Sequence, residues 1–333
     1  MGEEAPQQQW LSIHDPATCT RKGLCPVKKK LRGRGQESDS PTPSHSLYFE
    51  QHGTGPIKVV AIVGLNDSCN ACDAQVKYFG RLPQYSFLVF DNRGAGNSDT
   101  PRGPYSTEGM AEDVVVLLDF LGWTETRSLH LVGFSLGGMI AQQLSYRIPE
   151  RFISLTLGTT TAGGFPLCNI PPVPKIGLYC RTQFTRDLEK KMVCIVEMCF
   201  GASWLDATAE NDAEGRTNRE VQTALFMERS ALTRTPKPMG AISQMWAGFT
   251  HHVRAARLAQ ISKTIPKVVI LTGDEDHLVR PSNSAYLKKH MPEAEYLVWE
   301  NTGHAITMQH VERFNALMER VLQEGQARVE GRI

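Results

Sequence analysis

Four short runs of aliphatic and β-branched residues restrict this chain more than any other feature: KVVAIVG (58–64), YSFLVFDN (85–92), SLHLVGF (128–134) and RFISLTLGTT (151–160). Runs of this kind have little polar face, so they suit strands covered on both sides, as in a parallel sheet under helices. Successive parallel strands need a crossover, and right-handed crossovers lay helices on both faces of the sheet. The intervening segments have the required helical character. ACDAQVKYFGRL (71–82) reads as a helix, and STEGMAEDVVVLLDFLGW (106–123) opens on Ser106, Thr107 and Glu108, good first-turn residues. HSLYFEQHG (45–53) reads as an edge strand ahead of the series.

The alternation stops near residue 163. GGFPLCNIPPVPKIG is rich in proline and glycine, and a mostly helical pattern then runs to near Gln260. Alternation resumes with PKVVILTGDEDH (266–277), a helix at SNSAYLKKHM, the strand AEYLVWEN (294–301) and a helix from about Met308 to Gln323. The expected architecture is therefore α/β, a mostly parallel central sheet with helices on both faces and a helical insertion between two of its strands. The core spans 45–165 and 263–330, with a cap or lid at 166–262. Residues 1–44, basic and polar, are expected to be a disordered tail.

A net charge of +1 on 333 residues supplies no global field to draw nucleic acid, and no apolar run approaches the roughly 20 residues of a membrane span. The start MGEEAPQQQW lacks the basic and apolar regions of a secretory signal, so a cytoplasmic location is expected. The basic run Arg21, Lys22, Lys28, Lys29, Lys30, Arg32 and Arg34 reads as a solvated tail, with a nuclear address as the alternative. The eight cysteines are then expected to be reduced. Cys69 and Cys72 form a C-x-x-C with no second pair at zinc-ligand spacing, so they read as ordinary thiols near a helix start.

Ser135 sits in GFSLGG, where the strand SLHLVGF gives way to the helical LGGMIAQQLSYRI. G-x-S-x-G at a strand-to-helix turn presents a hydroxyl above the sheet, at a helix N-terminus whose N–H groups can face an oxyanion. The flanking glycines permit tight angles and close approach. A serine hydroxyl needs a base, and the base needs an orienting group. Two later strands end in GDEDH and ENTGH, on the same rim as Ser135. Asp276 is favoured as the acid over Asp274, a candidate turn residue, because the G-x-x-D spacing lets the loop turn back. His304 is favoured as the base over His277, which adjoins the acid, while His251 and His252 read as lid surface. Backbone N–H groups of Leu136 and Leu65, with Asn66 as the alternative to Leu65, are the expected oxyanion donors.

These residues resemble the α/β-hydrolase superfamily, in particular its serine hydrolases with a helical cap, over about 45–325. GFSLGG, FDNRGAGNSD (90–99) and the GDEDHLV and NTGH endings carry the resemblance. It implies a Ser135–Asp276–His304 triad and an oxyanion site at Leu65 and Leu136. DNRGAGNSD is similar to the D-x-R-G-x-G-x-S of esterases and related members, and itself reads as a structural glycine-rich turn with Arg93 and Asp99 holding loops in place. One departure stands out: the family usually has His-Gly after the strand that here ends in Val63-Gly64.

The function expected from these residues is cleavage of a small-molecule ester or thioester through an acyl-enzyme, with no cofactor or metal. Carbon–carbon bond hydrolysis, acyl transfer and a ligand-binding receptor of the same fold are the alternatives. Specificity is expected from the insertion, where IPPVP, FTRDLEKKMVCIVEMCF and MWAGF are apolar enough to line a pocket.

Overall fold

The computed structural model describes residues 10, 12–33, 36–164, 181, 185, 187–210 and 212–332. Its centre is an eight-stranded sheet in the order β1-β2-β4-β3-β5-β6-β7-β8. The strands are β1 (Cys19–Gly33), β2 (Gln36–His52), β3 (Ile57–Ile62), β4 (Tyr85–Phe90), β5 (Leu129–Phe134), β6 (Phe152–Gly158), β7 (Lys267–Gly273) and β8 (Glu295–Trp299). β3 to β8 are mutually parallel, and β1 and β2 add on as antiparallel strands at the β4 edge.

Helices cover both faces. On one side α2 (Thr107–Leu121) and α3 (Leu136–Arg147) bury Met110, Val114, Leu117, Ile140 and Leu144 in one core, α3 lying against β5 and β6 and α2 against α3 and β1. On the other, α1 (Asp73–Phe79) and a long C-terminal helix bury Val76, Phe79, Phe314, Met318 and Val321. Local chemistry sets the boundaries. The Ser106 side chain accepts the Gly109 N–H at the start of α2, and Gly122 closes that helix in a left-handed conformation (φ 76°).

Two expectations about the N-terminal part are corrected. Residues 19–33 and 36–44 belong to β1 and β2 and are not a disordered tail, and β2 is interior because β1 takes the edge. The reason is side-chain alternation inside a polar stretch. Cys25 and Val27 point into the same core as Leu47 and Phe49, and the ladder pairs Cys25 with Leu47. Pro26 is tolerated because an edge strand can spare a donor.

Between β6 and β7 the chain leaves the sheet. It forms α4 (Leu188–Cys199), α5 (Ala202–Asp206), α6 (Asn218–Ala231) and α7 (Pro238–Thr250), then returns through α8 (Ala255–Thr264). Leu258 and Ile261 of α8 are buried in the main core with α3, so α8 packs as a core helix although it falls within the expected 166–262 insertion. The IPPVP stretch lies outside the described residues, whereas MWAGF falls in α7. α9 (Pro281–His290) joins β7 to β8, and α10 (Ile306–Gln309) and α11 (Val311–Val329) follow β8.

Candidate active site

Ser135 occupies the junction between β5 and α3 with φ 54° and ψ −121°, a conformation that costs a non-glycine residue energy and persists only where the surroundings enforce it. The enforcement is visible. Its N–H donates to the Gly158 carbonyl of β6 at 3.0 Å, and its own carbonyl accepts the Thr160 hydroxyl at 2.7 Å. The helix behind it lies against the sheet so tightly that a Cβ on Gly137 would stand 2.0 Å from the Ile62 carbonyl oxygen. The side chain makes no capping bond to α3, so the hydroxyl is not spent on the helix N-terminus.

The ends of β7 and β8 are tied together by backbone bonds, Asp274 N–H to the Trp299 carbonyl and Glu275 N–H to the Thr302 carbonyl, each 3.0 Å. This brings Asp276 and His304 together, with His304 Nδ1 2.8 Å from Asp276 Oδ2. Asp276 is buried, and its other oxygen accepts the Leu278 and Val279 N–H groups, both at 2.9 Å. A carboxylate fixed on both oxygens holds the imidazole proton at Nδ1 and leaves Nε2 as the basic nitrogen. Asp274 does something different. It is exposed, and it accepts the Thr302 N–H at 3.1 Å across the two loops. His277 is exposed. Gln309, which the sequence did not single out, braces the His304 loop by accepting the Gly303 N–H and donating to the Asn301 carbonyl.

The loop after β3 passes directly beside the serine. A Cβ on Gly64 would lie 3.4 Å from Ser135 Cβ and 3.9 Å from its Oγ. Where the family usually has histidine, Val63 is buried in the core, and its carbonyl accepts Asn92 Nδ2–H at 3.2 Å. Leu65 is exposed toward solvent, Leu136 opens α3, and the Asn66 N–H donates to Gln244 Oε1 of α7 at 2.8 Å. Asn66, the alternative donor, is therefore already engaged.

The DNRGAGNSD segment acts as a brace. Asp91 accepts the N–H groups of Cys69 (2.7 Å) and Asn97 (2.6 Å). Arg93 clamps Asp113 and the Gly109 carbonyl of α2, and Asp99 accepts the Ser46 N–H. Burial pushes the Asp91 carboxyl up to about 6, against the pull of those N–H donors. A raised carboxylate pKa means that the folded state holds the extra proton, so this group's contribution is favourable below pH about 4 and is lost as pH rises toward 6, a change of about 3 kcal/mol. Urea unfolding of wild type and Asp91→Asn between pH 4 and 7 checks it. The stability difference between them should move against the wild type up to about pH 6 and then level off; a constant difference contradicts the assignment.

One histidine departs from the expectation made for it, and the cysteine pair agrees with its own. His251 is buried, not lid surface: it bonds Thr107 Oγ1 at 2.9 Å, and burial lowers its pKa to about 3. His252 beside it is exposed. Cys69 and Cys72 form a one-turn 3-10 segment and are buried free thiols, Cys72 being pushed up to about 12 by burial, which suits inert side chains.

Among the described residues, one group can bring three ligand atoms together for a metal: His14, Glu50 and His52, all buried, within 4.8 Å of one another. These atoms already serve each other. Glu50 Oε2 lies 3.2 Å from His14 Nδ1 and from His52 Nε2, Tyr48 donates to Oε1 at 2.6 Å, and Thr18 meets His52 Nδ1 at 2.8 Å. Burial pushes the Glu50 carboxyl up, but these partners outweigh it and hold it well below its ordinary range. The cluster ties His14 and Thr18 to β2.

The chain is 26% identical over 247 residues to a poly(3-hydroxyalkanoate) depolymerase of Ectopseudomonas oleovorans, an alignment covering 74% of this chain and 78% of that one. It is 27% identical over 240 residues to a 2-hydroxymuconate semialdehyde hydrolase of Pseudomonas putida, covering 71% and 76%. Among solved structures, the enol-lactonase from Burkholderia xenovorans LB400 matches with a TM-score of 0.66 at 20% identity, over 84% of this chain and 97% of that one, a likeness of fold. The family model for the alpha/beta hydrolase fold matches residues 59–311, three-quarters of the chain, and with the sheet order and the helices on both faces this makes the chain a member of the alpha/beta hydrolase fold family.

Proposed function

We propose that the chain is a serine hydrolase that cleaves a small-molecule carboxylic ester or thioester through an acyl-enzyme. The observation that carries this reading is the pair of buried Asp276 and half-buried His304, 2.8 Å apart, on the sheet rim where Ser135 is held in its strained turn. His304 Nε2 takes the proton of Ser135 Oγ as the oxygen attacks the acyl carbon, and Asp276 stabilises the resulting imidazolium. The Leu136 and Leu65 N–H groups receive the oxyanion, each worth about 3 kcal/mol of barrier. His304 returns the proton to the departing alcohol or thiol. Water, deprotonated by the same nitrogen, then releases the acid and restores Ser135. None of these steps calls on a metal or cofactor.

The name of the depolymerase relative supports an ester-type bond, since a polyhydroxyalkanoate is a polyester. The likeness to 2-hydroxymuconate semialdehyde hydrolase keeps carbon–carbon cleavage as a second reading, favoured if a vinylogous diketone is turned over and esters are not. The proposal includes a substrate-covering cap drawn from 166–262 and a cytoplasmic location. No described helix is long and apolar enough to cross a membrane.

Fluorophosphonate labelling of the pure protein tests the reading. Wild type should label and hydrolyse short p-nitrophenyl esters, and Ser135→Ala should do neither while unfolding at the wild-type temperature. Wild type that stays unlabelled, or a variant that still labels, rejects Ser135 as the nucleophile.

A further inference from the structure

Gln244 is fully buried on α7, yet its amide is spent entirely on two loops of the sheet rim. Its Oε1 accepts the Asn66 N–H at 2.8 Å, and its Nε2 donates to the Arg93 carbonyl, also at 2.8 Å. The first loop lies against Ser135, and the second is the brace after β4. α7 reaches them because its inner face is small. A Cβ on Gly240 would stand 2.6 Å from the Gly94 carbonyl oxygen, and one on Gly103 would stand 2.0 Å from Ser243 Oγ. Further along the helix, Gly248 approaches Leu136, the residue after the nucleophile.

Asn66 has φ 58°, in the left-handed region that asparagine adopts more readily than other non-glycine residues. The Gln244 bond fixes the plane of the Leu65–Asn66 peptide and removes Asn66 N–H from competition for an oxyanion. Of the two donors the loop offers, Leu65 N–H is left.

Building on the serine hydrolase reading above, we propose that Gln244 is a positioning residue. From the segment inserted between β6 and β7, it locks the loop at 63–68 so that the Leu65 N–H completes the oxyanion site. That site is then whole only while α7 is seated on the rim, which couples the position of the inserted helix to the chemistry. A buried amide bonded on both sides also makes the lock stiff, because breaking either bond leaves a buried polar group unmatched.

Gln244→Met keeps the length of the side chain and removes both bonds. With a short p-nitrophenyl ester, kcat should fall about 100-fold, the range for loss of one oxyanion donor, while KM stays within about two-fold. Amide exchange of the peptide spanning 63–68 should accelerate, with β5 to β7 as protected as in wild type. Ser243→Ala, which relaxes the same helix contact without touching the loop, should leave kcat and loop exchange near wild type. Unchanged loop exchange in Gln244→Met overturns the lock. Faster loop exchange with unchanged kcat overturns its catalytic role, as does a Ser243→Ala loss equal to that of Gln244→Met. A wild type that neither labels nor turns over sinks the hydrolase reading and the catalytic half with it, and the exchange arm still decides whether Gln244 holds the loop.

Discussion

Asp276→Asn should lower kcat on a short ester about 10⁴-fold with little change in unfolding temperature, while Asp274→Asn should cost only a few-fold. The two aspartates are two positions apart on one loop, so the contrast isolates geometry from charge. Asp276 Oδ2 faces His304 Nδ1 at 2.8 Å, whereas Asp274 only accepts the Thr302 N–H at 3.1 Å. In the Asp276→Asn variant the amide NH₂ takes the place of Oδ2 and donates to Nδ1. The imidazole proton is then forced onto Nε2, and the nitrogen that should accept the serine proton has lost its lone pair. The remaining amide oxygen can still accept the Leu278 and Val279 N–H groups, so the loop survives. Steady-state kinetics and thermal unfolding of both variants provide the check. Equal losses in the two, or a larger loss in Asp274→Asn, would mean that the orienting acid has been assigned to the wrong residue.

What the sequence made legible follows from where each signal resides. Ser135, Asp276 and His304 each lie within a few residues of a strand's C-terminal end, so their positions are written in local patterns: an apolar run, a glycine, then a polar group. The parallel sheet was legible for the same reason, since each buried strand is a contiguous apolar run. Features made by distant pairs were not. Gln244 meets Asn66 across 178 residues and Arg93 across 151, and no local pattern marks it in SQMWAG. The β1 strand was hidden because composition averages over its length: a stretch dominated by Arg and Lys places Cys25 and Val27 on the inward side of an edge strand. His251 was hidden likewise, since a histidine pair in a polar stretch looks exposed until α2 supplies Thr107 as a partner for one of them.

The same contrast between local and distant partners governs two glycine-to-alanine changes. Gly137 and Gly248 both lie inside helices, where alanine is intrinsically the better residue by about 1 kcal/mol. At Gly248 the new methyl carbon would sit 3.9 Å from Leu136 Cδ1, an ordinary contact, so Gly248→Ala should raise stability by about 0.5–1 kcal/mol. At Gly137 it would stand 2.0 Å from the Ile62 carbonyl oxygen and 2.6 Å from that of Val63. Neither atom is the end of a flexible side chain. Relief requires moving either α3 or the end of β3, which is hydrogen-bonded to strands on both sides. The cost should therefore reach or exceed the upper end of overpacking, about 3 kcal/mol, lowering the unfolding temperature by about 4 °C or more. Displacement of Val63 also carries the Gly64–Leu65 loop away from Ser135, so the fraction that stays folded should lose activity as well. Thermal unfolding of the two variants beside wild type reads the result. A Gly137→Ala protein as stable as wild type would mean that α3 can lift off β3 at no cost, and the tight elbow that aims Ser135 could not then rest on that contact.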